Sequence, residues 1–443
     1  MTSTAPDTPA PTVLEEETMT IAASIDEANE QIIQRITGAQ PVLVDVVRAA
    51  TVIPELAQEQ KTLLHAGPPL PFAEMTGPMQ GSCVGAALFE GWASTEEEAR
   101  ELLASEVRFI PCHHVGAVGP MGGITSAGMA VLVVEESGTG TRAYCTMNEG
   151  IGKVLRFGAY DEEVVERLRW MAEDLGPAIA EAVRGLDGGL PVMPLVARAI
   201  TMGDEFHQRN IAASALLLTK LAGPIAAQDL DPARKQRILT FLGDTDQFFL
   251  NIMMASCKAV MDAARAGADG SIVTAMTRNG KNFGIRVAGL GDQWFEAPVN
   301  TPEGLFFTGF SQEDANPDIG DSAITETFGV GGMAMIAAPG VIRFVGAGGF
   351  GDALAASEDM LEIVHGHNSG LPIPTWDFQG ACVGIDIRKV VATGITPIIN
   401  TGIAHRIAGR GQVGAGTVRA PLACFEKALE ALAAKHGVDV DAA

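Results

Sequence analysis

The sequence predicts an α+β protein, with mixed α/β core domains and an inserted all-helical domain. Three observations lead there. Runs rich in β-branched residues cluster toward both ends of the chain, apolar residues recur at helical spacing through residues 160–267, and strand–helix alternation is too irregular for a doubly wound sheet. At 443 residues and 47% hydrophobic content the chain has ample material for several structural units around a large core.

Residues 1–22, rich in Thr, Pro, Ala and Glu, hold too little apolar surface to fold and are expected to be a disordered tail. A helix is expected from Ser24, with Glu27 completing a capping box, followed by a strand from Pro41 to Val47. These open an N-terminal α/β domain, 23–159, with helices over 84–92 and 95–105 and paired strands at 130–134 and 142–146. In the helical domain, 160–267, one helix fits 160–184 and another 192–221. A third begins at Asp231-Pro232, with a break near Gly243. The C-terminal α/β domain, 268–443, is expected to hold strands at 272–276, 283–287, 340–345, 381–387 and 397–400, with helices over 351–364 and 421–435.

A formal charge of −24 argues against a nucleic-acid partner, which needs an extended basic face. No charged-then-apolar leader opens the chain and no apolar run is long enough to span a bilayer, so no membrane association and a cytoplasmic location are expected. Six cysteines without a CxxC pair read as reduced thiols, most of them small core residues. Against this acidic background, residues 384–419 place Arg388, Lys389, Arg406, Arg410 and Arg419 beside a single carboxylate, Asp386. Such an island inside glycine-rich, apolar sequence is what a sheltered site for a small anion requires.

The remaining reactive residues lie in glycine-punctuated stretches. His113 and His114 follow a strand-like run and precede four glycines; imidazole titrates near neutrality, so either is a candidate acid or base, the bland alternative being a hydrogen-bonded turn histidine. Asn148 and Glu149 sit in a turn that lacks phosphate-loop spacing, which leaves a substrate-orienting role or a polar turn. Asp204, His207 and Asn210 would share one stripe of a helix, facing either the site or solvent. Asn279-Gly280 is a hairpin signal, but Arg278 and Arg286 in apolar surroundings need partners or ligands. Asp314, Asn316 and Asp318 have the spacing of a calcium loop, yet its twelfth position is Thr325 rather than Glu. Asp321 and Glu326 are therefore read as catalytic or orienting acids, with capping of a helix that ends at Gly329 as the alternative. Arg388 and Arg406 are candidate bidentate clamps, Lys389 a point charge, and Asn400 and His405 complete the last stretch. No cofactor is expected, and no spacing supports a divalent metal.

Taken in order, Leu64-His-Ala-Gly-Pro-Pro69, Cys112-His-His114 with Val118-Gly-Pro-Met121, Asn148-Glu-Gly150, Gly203-Asp-Glu205, Gly284-Ile-Arg286, Ala315-Asn-Pro-Asp318 with Gly320-Asp-Ser-Ala323, Gly384-Ile-Asp386, Arg388-Lys-Val390 and Asn400-Thr-Gly-Ile-Ala-His405 resemble the YlbE-like family over roughly residues 25–430. The resemblance implies a subunit of oxamate carbamoyltransferase, which converts oxalurate and phosphate to oxamate and carbamoyl phosphate in allantoin-linked nitrogen catabolism. It implies small anionic substrates, an FdrA-like partner and a third subunit, and it is compatible with self-association. It carries over no catalytic residues. On this reading His113, His114 or His405 protonates the leaving nitrogen, Asp321 and Glu326 orient the basic groups, and Arg388, Arg406, Lys389, Arg278, Asn279, Asn148, Glu149, Asn316 and Asn400 bind substrate. The rival readings are a non-catalytic scaffold subunit of the same complex and a stand-alone ureido or amide hydrolase.

Overall fold

The helix Phe248–Arg265 is apolar around almost its whole circumference, and only Asp262 and Arg265 escape full burial. A helix without a polar face has to lie inside the molecule. It packs against the strands Ala130–Glu136 and Thr141–Thr146, the strand Val273–Asn279, and the helices Val13–Gly38 and Ile324–Phe328. The computed structural model describes residues 13–346 and 348–438. Within them one large hydrophobic cluster runs from Ile25 to Leu432, and a second gathers around Met79, Val84 and Leu155. None of the described helices is long and apolar enough to cross a membrane.

The fold is α+β, as the sequence predicts. Five strands form one sheet in the order Ala117–Val118, Thr141–Thr146, Ala130–Glu136, Pro41–Arg48 and Leu190–Pro191. The last of these comes from the helix-rich middle of the chain and pairs antiparallel with Pro41–Arg48. A second sheet is ordered Phe295–Pro298, Asn282–Val287, Val273–Asn279 and Ile319–Gly320. In the third, Gln412–Arg419 lies between Glu303–Phe306 and Ile398–Ala404. The Asn279-Gly280 signal does make the hairpin: Gly280 takes φ +77° and the Asn279 side-chain oxygen accepts from the Lys281 and Asn282 amides.

Four segments differ from expectation. Residues 13–22, read as part of a tail, begin a helix that runs Val13–Gly38, so Ser24 lies inside it rather than capping it; residues 1–12 of that tail lie outside the described residues. Residues 340–345, whose β-branched content suggested a strand, form the helix Pro339–Phe344, started by a proline in its first turn. The 160–184 helix passes through a π turn at Met171–Leu175, just before Pro177, which lacks the amide a regular turn needs. The helix expected over 192–221 is two helices, Met193–Ile200 and Ile211–Ala227. Gly203 (φ +97°) breaks it, and the Asp204 carboxylate accepts from the Ala212 and Ala213 amides at the start of the second helix. This break matters most, because residues 201–210 become a loop that enters the site.

Arg278 is completely buried. Its guanidinium grips Asp318 through two bonds, Nε to Oδ2 at 2.6 Å and Nη2 to Oδ1 at 3.2 Å, and donates to the Gly320 carbonyl and the Thr401 hydroxyl. Thr401 in turn donates to Asp318 at 2.8 Å. Through Thr401 the pair ties the second sheet to the third. Asp318→Ala should strand a charged guanidinium in the interior and lower unfolding free energy by about 3–5 kcal/mol, whereas Arg278→Met with Asp318→Leu should lose much less; denaturant titration of the three proteins tests the difference.

Candidate active site

Behind these sheets the chain leaves a cleft of about 610 Å³. Its wall is built from the loop Pro120–Met121, residues 148–157, the loop around His207, Thr245 to Leu250, Phe307, Ser322, and residues 402 and 410–412. A smaller cavity of about 30 Å³ lies behind it, lined by Ser82, Glu149 and Arg156 among mostly apolar side chains, and is too small for a substrate.

His207 is the ionisable group best fixed in the cleft. Its Nδ1 lies 2.8 and 2.9 Å from the two Glu326 oxygens, inside a buried environment. A carboxylate against Nδ1 sets the tautomer with the proton on that nitrogen, which leaves Nε2 for a ligand. Glu326 is itself held: Gly332 N–H at 2.8 Å and Asn400 N–H at 3.2 Å donate to Oε1, and the Thr325 hydroxyl donates to Oε2 at 3.0 Å. Gly331 (φ +64°) is required here, since a Cβ at that position would overlap the Glu326 carboxylate.

The loop carrying His207 is organised by Glu205. One of its oxygens accepts from the amides of His207, Gln208 and Arg209, the other from the Asn400 side chain at 3.0 Å. Burial pushes the Glu205 carboxyl up to about 7, the His207 and Glu326 charges acting in opposite directions. Gln247 clasps the same loop, donating to the Gln208 carbonyl and accepting from Asn210 at 2.8 Å. Phe206 and Met121, on two loops of the site, are among the few non-glycine residues with positive φ, at 71° and 53°.

Three cations line the cleft: Lys153, Arg156 and Arg410. Arg156 is nearly buried; its Nη2 donates to the Gly150 carbonyl at 2.8 Å, while Nη1 lies 3.7 Å from Glu149. Ser322 accepts a long bond, 3.4 Å, from buried Arg278, so its hydroxyl proton can be donated to a guest. Together these groups can hold an oxyanion beside a histidine able to exchange a proton.

The sequence profile of the family described as "Oxamate carbamoyltransferase subunit AllG" matches residues 107–322. Over 416 residues the chain is 64% identical to the Escherichia coli (strain K12) protein named "Oxamate carbamoyltransferase subunit AllG", covering 94% of this chain and 99% of that one. The chain belongs to the AllG family. It is also 42% identical over 419 residues to "Uncharacterized protein YahG" of the same organism, 94% of this chain and 88% of the relative. The crystal structure of a conserved protein of unknown function from Enterococcus faecalis V583 shares the fold with a TM-score of 0.90 at 41% identity, over 96% of this chain and 99% of that one. Membership of the AllG family agrees with the resemblance read from the sequence blocks.

Of the residues singled out from sequence, Asn148 lines the cleft, Glu326 stands directly behind His207, and Asn400 donates to Glu326 and to Glu205. Glu149 shapes the wall by accepting from the Leu155 and Arg156 amides. Asp321 is fully enclosed, accepting from the Gly67 amide at 3.0 Å, the Gly119 amide at 2.9 Å and the Thr277 hydroxyl. Burial raises its carboxyl against those donors. His113 is sealed between Asp321, 3.7 Å away, and Trp294; burial, then Lys258 and Arg286, hold it well below the usual histidine range. His114 accepts from the Trp294 indole at 2.9 Å, and His405 accepts from the Ile407 amide with Asp314 3.6 Å away. Asn279 caps its hairpin, the Asn316 side chain donates to the Pro317 carbonyl, and Lys389 donates to the Val364 carbonyl. Arg406 is exposed in the loop leading to Arg410.

Arg388 lines a different, apolar depression formed by Ile21, Ile25, Leu429 and Leu432, and it is bound to Asp386 and Asp26. Around Asp386, burial alone would raise the carboxyl, but hydrogen bonds from His365 and Arg388 outweigh it and hold the group far below the ordinary carboxylate range. Because the folded group ionises at lower pH than the unfolded one, its stabilisation is present above about pH 4 and is lost as pH falls toward the folded value. Asp386→Asn should therefore melt with a flatter dependence on pH below about 4 than the parent protein, which thermal scans across an acid series will read.

Proposed function

We propose that this chain is a subunit of an oxamate carbamoyltransferase and that it contributes the acid–base group of the reaction from the cleft. The observation that carries this reading is His207, with Nδ1 locked to Glu326 and Nε2 left for a ligand, in a cleft lined by three cations. Family membership supplies the reaction class: the E. coli relative is named for oxamate carbamoyltransferase.

In the direction of oxalurate breakdown, a phosphate oxygen attacks the carbamoyl carbon and forms a C–O bond. The tetrahedral oxyanion collapses by breaking the bond to the oxamate nitrogen, which takes a proton. His207 is the group suited to carry it: Nε2, bare in the tautomer set by Glu326, takes the proton of the attacking hydrogen phosphate and passes it to the leaving nitrogen, and in reverse it takes a proton from the oxamate amide as that nitrogen attacks carbamoyl phosphate and returns it to the departing phosphate. Lys153, Arg156 and Arg410 are placed to neutralise phosphate or carboxylate, and the Ser322 hydroxyl to meet the oxyanion. Glu326 acts through His207, as a positioning residue. The reading includes assembly with an FdrA-like subunit and a third protein, turnover only within that complex, and a cytoplasmic setting in nitrogen catabolism.

His207→Gln in the reconstituted enzyme should lower kcat by about 10²–10⁴-fold. KM for phosphate and oxalurate should stay within a few-fold, because Gln approximates the volume and removes only the imidazole that carries the proton. Steady-state rates in both directions measure this, and wild-type turnover by the variant would assign the chemistry to another subunit.

A further inference from the structure

Large apolar side chains seldom stand in water beside a charged cleft, yet Ile151 and Phe307 line this one, and Ile407 stands exposed in the loop that leads to Arg410. Ile151 is 81% exposed, Ile407 52% and Phe307 42%. They come from segments that touch. A Cβ on Gly411 would lie 3.6 Å from the Gly152 carbonyl, and the Phe307 amide donates to the Val413 carbonyl at 2.8 Å. Ile151 sits at the tip of a Gly150-Ile-Gly152 finger whose two glycines take φ +88° and +97°. Such a tip is conformationally costly to order and holds its isoleucine outward. Beside it, Arg406 and Arg410 are exposed and make no ion pair with any described residue, in a chain of formal charge −24.

Exposed apolar side chains on neighbouring segments, beside arginines that no described residue pairs, have the composition of an interface centre rather than of free surface. The cleft they border, about 610 Å³, is also larger than a small ureido acid and a phosphate together need, which leaves room for an element of another chain.

We propose that Ile151, Phe307 and Ile407, flanked by Arg406 and Arg410, are the face on which a different subunit of the enzyme docks, closing the cleft. The occupant is a protein element with an apolar tip between carboxylates, the groups that match the two arginines in both charge and bidentate geometry. A second copy of this chain is the less suitable occupant, because two bodies of charge −24 repel. The proposal rests on the function read above, in that it takes the chain to work inside a multi-subunit enzyme.

The test co-expresses the full chain with the FdrA-like and third subunits and measures assembly by light scattering and titration. Ile151→Asp/Phe307→Asp/Ile407→Asp and, separately, Arg406→Glu/Arg410→Glu should each raise the dissociation constant at least about 30-fold. Phe378→Asp, which alters another exposed phenylalanine away from the cleft, should leave it unchanged. Ile151→Asp alone, at a solvent-exposed tip, should weaken assembly while melting like the parent, which separates lost docking from misfolding. Wild-type affinity in the triple variant overturns the proposal. A homodimer of the isolated chain that the triple variant dissociates also overturns it, by making the occupant a second copy. Failure of the functional reading has a different signature: an active His207→Gln enzyme, whatever the rim variants do.

Discussion

A single buried carboxylate holds the parts of the cleft in register. Asp321 reaches 254 residues back along the chain to the Gly67 amide and 202 residues back to the Gly119 amide, and it also accepts from Thr277 on the second sheet. Removing a carboxylate from water is costly, and only several well-aimed donors make it tolerable. The donors here belong to three segments that share no secondary structure, so the charge and the packing of those segments depend on one another. Gly119 returns the contact by accepting the Asp321 amide at 2.9 Å, and Gly320 lies so close to Met121 that a Cβ there would meet the Met121 amide at 2.8 Å.

From that anchor the geometry propagates along five residues. Ser322 follows Asp321 into the cleft wall, the short helix Ile324–Phe328 starts immediately after, and Glu326 emerges within it, all five residues buried. Glu326 meets His207, and His207 is set by a loop that Glu205 and Gln247 gather from both ends. The positive φ of Phe206 belongs to the same logic: an unfavourable backbone angle persists only where surrounding contacts over-determine it. Burial pushes the Glu205 carboxyl up to about 7 although it is bonded to three amides, while the nearby His207 and Glu326 act on it in opposite directions.

Much of the architecture was legible because period and punctuation are local properties. The paired strands around 130–146, the Asp231-Pro232 start, where the Asp231 carboxylate accepts from the Arg234 amide, and the Asn279-Gly280 turn each follow from a few neighbouring residues. Glu326 was legible for a similar reason, as an acid in a dense polar loop. His207 was less so, since a stripe argument presumes an unbroken helix; the signal that corrects it is Gly203, with Asp204 placed to cap the helix that follows. Arg388 illustrates the opposite error. A cationic island in sequence implies a shared anion only if its members converge, and here Asp26, Asp386 and His365 satisfy one end while Arg410 faces the cleft at the other. Convergence depends on long-range contacts such as those of Asp321, which no window of sequence displays.

The distribution of charge then becomes intelligible. An overall −24 disfavours the approach of any anion, so the anion binding proposed for the cleft requires attraction that is local and sheltered from screening. The cleft sets three cations in a concave wall, with Lys153 tied to Asp161 at 3.0 Å, Arg156 pinned to a carbonyl, and Arg410 in no ion pair with a described residue. The three are therefore not equivalent. Arg156 is oriented in advance and can act through direction, Lys153 shares its charge with a carboxylate, and Arg410 stands exposed, which suits it to both roles proposed for it, toward an entering anion and toward a docking subunit.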